Sequence, residues 1–156
     1  MDKPQSGNRP LVPAPGEGKR GEDGYIGYLL RQAANAYETH LSRILRDLAV
    51  TPPQFSVMTM IAAYPGVSNA DIARLTFLTP QTVSVIIGNL MKAGVVARRP
   101  HAIHGRIQQL ELTESGKKLL DAAKARVKAV DAELIQDLSS ADEKVLRRWL
   151  TSASSR

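Results

Sequence analysis

The sequence of 156 residues predicts a mainly α-helical chain carrying one small β-hairpin, and three observations predict it. From residue 25 onward apolar residues recur every three or four positions, the period of a one-sided helix. Ser or Thr stands just before Pro, or shortly before Asp, Glu or Gln, at Thr51, Ser68, Thr79, Thr113 and Ser140, and each such site marks a helix start. Between Val95 and Leu112 alone the pattern changes to two short apolar runs around a loop containing Pro, His and Gly.

Residues 1–24 hold four of the nine prolines, five of the eleven glycines, and four basic against four acidic side chains. Apolar residues are too sparse there to form a face, so ordering the segment would cost entropy without burial, and a mobile tail is expected. Ile26, Leu29, Ala33, Tyr37, Leu41, Ile44 and Leu48 then predict a first helix from Tyr25 to Leu48. Thr51, Pro52 and Gln54 form a capping box with a first-turn proline, and a second helix follows with Phe55, Val57, Met58, Ile61 and Ala62, ending at Tyr64, Pro65 and Gly66. Ser68 and Asp71 open a short helix carrying Ile72, Ala73 and Leu75.

Thr79 and Pro80 open the next helix, whose stripe is Val83, Ile86, Ile87, Leu90 and Met91, stopped by Ala93 and Gly94. Strands are expected over Val95 to Arg99 and Ile107 to Leu112, although Ile107 and Leu110 cannot share a face. Thr113 caps a long helix with the stripe Leu120, Ala123, Val127, Val130, Leu134 and Leu138, spanning roughly 37 Å, more than a small domain can cover. A last helix, opened by a capping box from Ser140 to Glu143, is expected to bury Val145, Leu146, Trp149 and Leu150.

With no cysteine, disulfide scaffolds, thiolate zinc sites and thiol-based redox sensing are excluded. No apolar run approaches the ~18 residues of a membrane span, and Met1 to Gln5 lack the order of a signal peptide, so the expected location is the cytoplasm. No catalytic motif stands out: there is no glycine-rich phosphate loop, no Gly-x-Ser-x-Gly, and no paired carboxylates in an expected cleft, so neither catalysis nor a cofactor is expected. The net charge of +6 is concentrated: from Arg74 to Arg106 there are five basic residues and no acid, which points to a polyanionic partner.

Three short helices followed by a hairpin, with small polar residues opening the third helix and a basic hairpin loop, is the order of a winged helix-turn-helix. Leu48 to Gln54, the helix pair from Ser68 to Gly94, the run Gly94-Val95-Val96-Ala97-Arg98-Arg99, and Arg106 followed by Leu112-Thr113-Glu114-Ser115-Gly116 together resemble the MarR (multiple antibiotic resistance regulator) family over residues 25–152. The resemblance implies a homodimeric transcriptional regulator, by default a repressor. Its first and last helices would interlock as a dimerisation region (25–50 and 114–156), and its winged domains (51–113) would bind a pseudo-palindromic operator on double-stranded DNA. Release by small aromatic or anionic effectors is also implied.

On this reading Pro80, Gln81, Thr82, Ser84, Val85 and Asn89 lie off the buried stripe of the third short helix and face the major groove, where Asn and Gln suit adenine and Val85 suits thymine methyls. Ser68, Arg74, Lys92, Arg99 and His101 are the accompanying contacts, and of Arg98 and Arg99 one should face the duplex and the other solvent. The family wing usually reads Asp-x-Arg, and here it reads His104-Gly105-Arg106. Arg106 is expected in an A·T-rich minor groove, with His104 adding positive charge at mildly acidic pH. His101 and His104, even joined by His40, lack the carboxylate or thiolate that would complete a metal shell, so no metal is expected.

Tyr37, His40 and Arg43 are candidate effector contacts. Ile26, Leu29, Leu120, Val127, Val130, Leu134, Leu146 and Trp149 are the candidate dimerisation residues. The alternative, motivated by the missing wing Asp and the arginine-poor helix, is a winged-helix protein-interaction module without specific DNA binding.

Overall fold

The computed structural model describes residues 12–100 and 108–155. Within them the chain forms α1 (Ile26–Ile44), α2 (Pro52–Ala63), α3 (Asn69–Thr76), α4 (Pro80–Lys92), β1 (Val96–Pro100), β2 (Gln108–Leu112), α5 (Glu114–Leu134) and α6 (Ser140–Ala153). Four of the five helix starts sit on the residues whose chemistry predicts them. Thr51 Oγ1 accepts from the Gln54 N–H while Gln54 Oε1 accepts from the Thr51 N–H at 2.9 Å, a full capping box. Ser68, Thr79 and Thr113 each accept from the N–H three residues on, at 3.1, 3.2 and 3.0 Å.

The remaining start is displaced by one residue. Ser139, not Ser140, caps α6, because its hydroxyl both accepts from the Asp142 N–H at 3.2 Å and donates to the Asp142 carboxylate at 2.6 Å. Two helices are shorter than expected. α1 stops at Ile44, where the chain tightens into a 3-10 turn, Arg46–Leu48, closed by Ala49 in the left-handed region at φ 53°. α5 stops at Leu134, since Ile135 leaves helical geometry at φ −110° and ψ 6°; its 21 residues span about 31 Å, and Leu138 lies in the following turn.

The expected structureless tail does not hold for residues 13–24. A 3-10 turn, Gly18–Arg20, is clasped to α1 by polar rather than apolar groups: the Arg20 guanidinium donates to the Pro13 carbonyl at 2.7 Å and to Gln32 Oε1 at 3.2 Å, and the Gln32 amide returns a bond to the Arg20 carbonyl at 3.0 Å. Residues 1–11 lie outside the described residues.

The chain divides into two compact units, one ending at Thr39 and one beginning at His40. In the second, α2 is central and touches α3, α4, β2 and α5. Its Val57, Met58 and Ile61 meet Ile72 of α3, Val83 and Ile87 of α4, Val96 and Leu110 of the hairpin, and Leu120 of α5 in one core. The first half of α5 therefore belongs by packing to the winged domain, and the boundary expected at residue 114 does not mark a break in the core.

The hairpin pairs Val96 with Leu112 and Arg98 with Leu110 in antiparallel register. Within β2, Leu110 and Leu112 share the buried face, and Ile107 lies outside the described residues. The root of the hairpin is closed by α5: Thr113 Oγ1 donates to the Gly94 carbonyl at 2.7 Å, Ser115 Oγ donates to the same oxygen at 3.0 Å, and the Thr113 N–H donates to the Val95 carbonyl at 3.0 Å. Gly116 makes this approach possible, since a Cβ there would stand 2.1 Å from the Val95 oxygen.

Candidate nucleic-acid interface

Burial of Val83, Ile86, Ile87 and Leu90 fixes the rotation of α4, and the residues between them are turned outward. Pro80, Gln81, Thr82, Ser84, Val85 and Asn89 are all exposed along one helix, with Lys92 exposed in its last turn. The Thr82 hydroxyl is held at 2.8 Å from that of Thr79, so it presents a fixed oxygen beside the α4 N-terminus, where backbone N–H groups favour phosphate. Val85 keeps 63% of its surface exposed, an apolar tip on an otherwise polar face.

Around α4 the other predicted contacts are exposed but partly engaged. Ser68 spends its hydroxyl hydrogen on Asp71, at 2.6 Å, and caps α3 with its lone pair, leaving it little capacity for a further acceptor. Arg74 donates to the Asp71 carboxylate, which is held below its ordinary value of 3.8 first by the Ser68 hydroxyl and then by Arg74. Arg99 lies 3.4 Å from the Glu111 carboxylate across the outer face of the hairpin, while Arg98, paired with Leu110, projects on the other face and is exposed. His101, His104 and Arg106 lie outside the described residues. Among the described residues no three His, Asp or Glu side chains gather as a metal-holding group.

The other candidate residues separate into distinct surroundings. Leu120 is 2% exposed inside the winged core, and Val127 and Val130 are buried within the chain, so these three of the candidate dimerisation residues are already covered. Leu134 (64% exposed), Ile26 (62%), Trp149 and Leu146 remain uncovered, and Leu29 is half-buried. α6 was expected to bury Val145, Leu146, Trp149 and Leu150, yet none of its residues is buried, because no other part of the described chain covers that face. Tyr37 and His40 are half-buried and Arg43 is exposed. A groove of ≈ 670 Å³ against the first half of α1 is lined by Arg20, Tyr28, Arg31 and Gln32 among others, and none of the three candidate effector contacts lines it.

Two features escaped sequence reasoning. Arg126 of α5 donates to the Ile44 carbonyl at 2.7 Å and to the Asp47 carboxylate, joining the end of α1 to α5. Nothing in the sequence flags a contact across so many residues. Phe77, between α3 and α4, is 91% exposed at φ 57°; the signal was a bulky aromatic at a helix end, where glycine is the usual residue.

Comparison with known proteins fits this geometry. The MarR family model matches residues 50–107, from the α2 cap into the hairpin. The HTH-type transcriptional repressor Rv2887 of Mycobacterium tuberculosis is 33% identical over 129 residues, covering 83% of this chain and 93% of that protein. The chain belongs to the MarR family of transcriptional regulators.

As a member of the MarR family it has solved structural counterparts. The crystal structure of the M. tuberculosis protein with DNA superposes with a TM-score of 0.68 at 30% identity, covering 84% of this chain and 98% of that one. The same protein in complex with salicylic acid gives a TM-score of 0.70 at 32% identity, covering 85% and 98%. The MarR winged helix-turn-helix is therefore the fold of this chain, with α3 and α4 as the helix-turn-helix pair and β1–β2 as the wing. No helix among the described residues is long and apolar enough to cross a membrane.

Proposed function

We propose that this MarR-family chain is a homodimeric repressor that reads a pseudo-palindromic operator through α4 and its wing, and that a small aromatic or anionic molecule releases it. The observation that carries the reading is the outward face of α4: Gln81, Ser84, Val85 and Asn89 exposed on a helix locked by its buried stripe, inside a stretch with basic residues and no acid. Gln81 and Asn89 offer the paired donor and acceptor that adenine matches, Val85 suits a thymine methyl, and Arg98, Lys92 and the wing's Arg106 supply phosphate and minor-groove contacts. The solved complex of the M. tuberculosis relative with DNA supports the same use of the fold.

Dimerisation is supported by the apolar face of α6, where Val145, Leu146, Trp149 and Leu150 stay between 37 and 55% exposed, and by Leu134 at the end of α5. Such a face on a charged helix is stable in water once a second copy covers it. Two recognition helices related by a two-fold axis then meet successive major grooves, about one helical turn apart. The salicylate complexes of the relative support an aromatic acid as effector class. Release follows from tighter binding to a dimer whose recognition helices no longer match that spacing.

Selection of bound sequences from a random DNA pool, with the mass of the protein measured in parallel, tests the proposal. An enriched inverted repeat bound by a dimer is the expected result. No enriched sequence from a well-folded dimer would replace the proposal with a protein-interaction module.

A further inference from the structure

The turn joining α3 to α4 holds an unexplained side chain. The N–H groups of Phe77 and Leu78 both donate to the Ala73 carbonyl, the second at 3.1 Å, and this closure of α3 demands the left-handed conformation at Phe77, φ 57° and ψ 28°. Glycine adopts that conformation freely, whereas an aromatic residue with a Cβ is strained in it. Strain of this kind is commonly offset by packing of the side chain, but the ring is 91% exposed. Among the described residues it therefore finds no packing that would balance its backbone cost.

We propose that Phe77 is a DNA-contacting residue that packs its ring on a thymine methyl at the edge of the half-site read by α4. The inference rests on the DNA-binding reading above and extends it to a residue off the recognition helix. Three observations choose DNA as the occupant. Phe77 precedes the α4 cap, Thr79, by two residues, so it borders a helix end whose N–H groups favour phosphate. It lies in the stretch from Arg74 to Arg106 that carries no acidic residue, a setting complementary to a polyanion. Val85, at 63% exposure, is a second apolar tip in the same stretch, and phenylalanine is among the side chains that suit the thymine methyl.

The test pairs Phe77→Gly with operators in which each thymine in turn is replaced by deoxyuridine, which removes only the methyl. Glycine suits the turn, so the variant is expected to fold and to melt above the wild type. For the wild type, apart from a position read by Val85, one replacement per half-site should weaken binding about four-fold, the worth of one buried methyl. Phe77→Gly should bind the thymine operator correspondingly weaker and no longer distinguish the two bases at that position. If Phe77→Gly binds both operators as the wild type does, the proposal is overturned and the ring is left for a protein partner. Absence of sequence-specific binding by the wild type itself, with Arg106→Ala no different, would instead overturn the parent reading.

Discussion

At the scale of single residues, two positions carry consequences opposite to their usual ones. Glycine within a helix ordinarily costs about 1 kcal/mol relative to alanine. Gly116 reverses this, because the added Cβ would stand 2.1 Å from the Val95 carbonyl oxygen, which is backbone at the root of the wing. Gly116→Ala is expected to lose about 2 kcal/mol or more, read as a lower urea midpoint, through forced separation of α5 from the hairpin. A gain in stability would show that the contact yields. The second position is Arg126. It donates a hydrogen bond to Asp47 and so holds that carboxyl below its ordinary 3.8. On unfolding the carboxyl returns to that value, so its pairing stabilises the fold above about pH 4 and is lost as pH falls through the lowered folded value. Arg126→Met should flatten the acid side of a stability-against-pH curve taken from neutral to about pH 3, relative to the wild type. Coincident curves would remove the pair from the stability of the fold.

At the scale of elements, α6 has no buried residue, which makes it the element most dependent on something outside its own chain. Trp149→Ala is expected to weaken self-association by at least about ten-fold in sedimentation experiments, with the winged domain still folded, because its core does not include α6. An unchanged dimer would move the interface elsewhere. The elements also divide by how far they were legible in the sequence. Helix starts at Thr51, Ser68, Thr79 and Thr113 were readable because a cap is a local bond between near neighbours. The ends of α1 and α5 were not, since the apolar stripe runs on through Leu48 and Leu138 while the backbone stops following it. The clasp of residues 13–24 was missed for a related reason: Arg20 and Gln32 are polar, and a search for apolar faces passes over them. On the interface, the outward set of α4 followed from the spacing of its buried stripe. The diversion of Ser68 and Arg74 toward Asp71 did not, because a sequence does not say which of several polar partners a side chain chooses.

At the scale of the whole molecule, the excess positive charge predicts a steep salt dependence of operator affinity. The logarithm of the binding constant should fall linearly with the logarithm of salt concentration, and Arg106→Ala should lower the slope by about one for each half-site. A slope near zero in the wild type would be incompatible with phosphate contacts. On the proposed reading, the route from an effector to the DNA passes the junction at Gly94 and Val95. Their carbonyls are tied to Thr113 and Ser115, and Gly116 leaves no clearance there. The start of the long α5 is thus bonded directly to the strand that leaves the reading head. On the proposed reading, a tilt imposed on the far end of that helix turns the head against the groove, so small changes at the base suffice to spoil the fit.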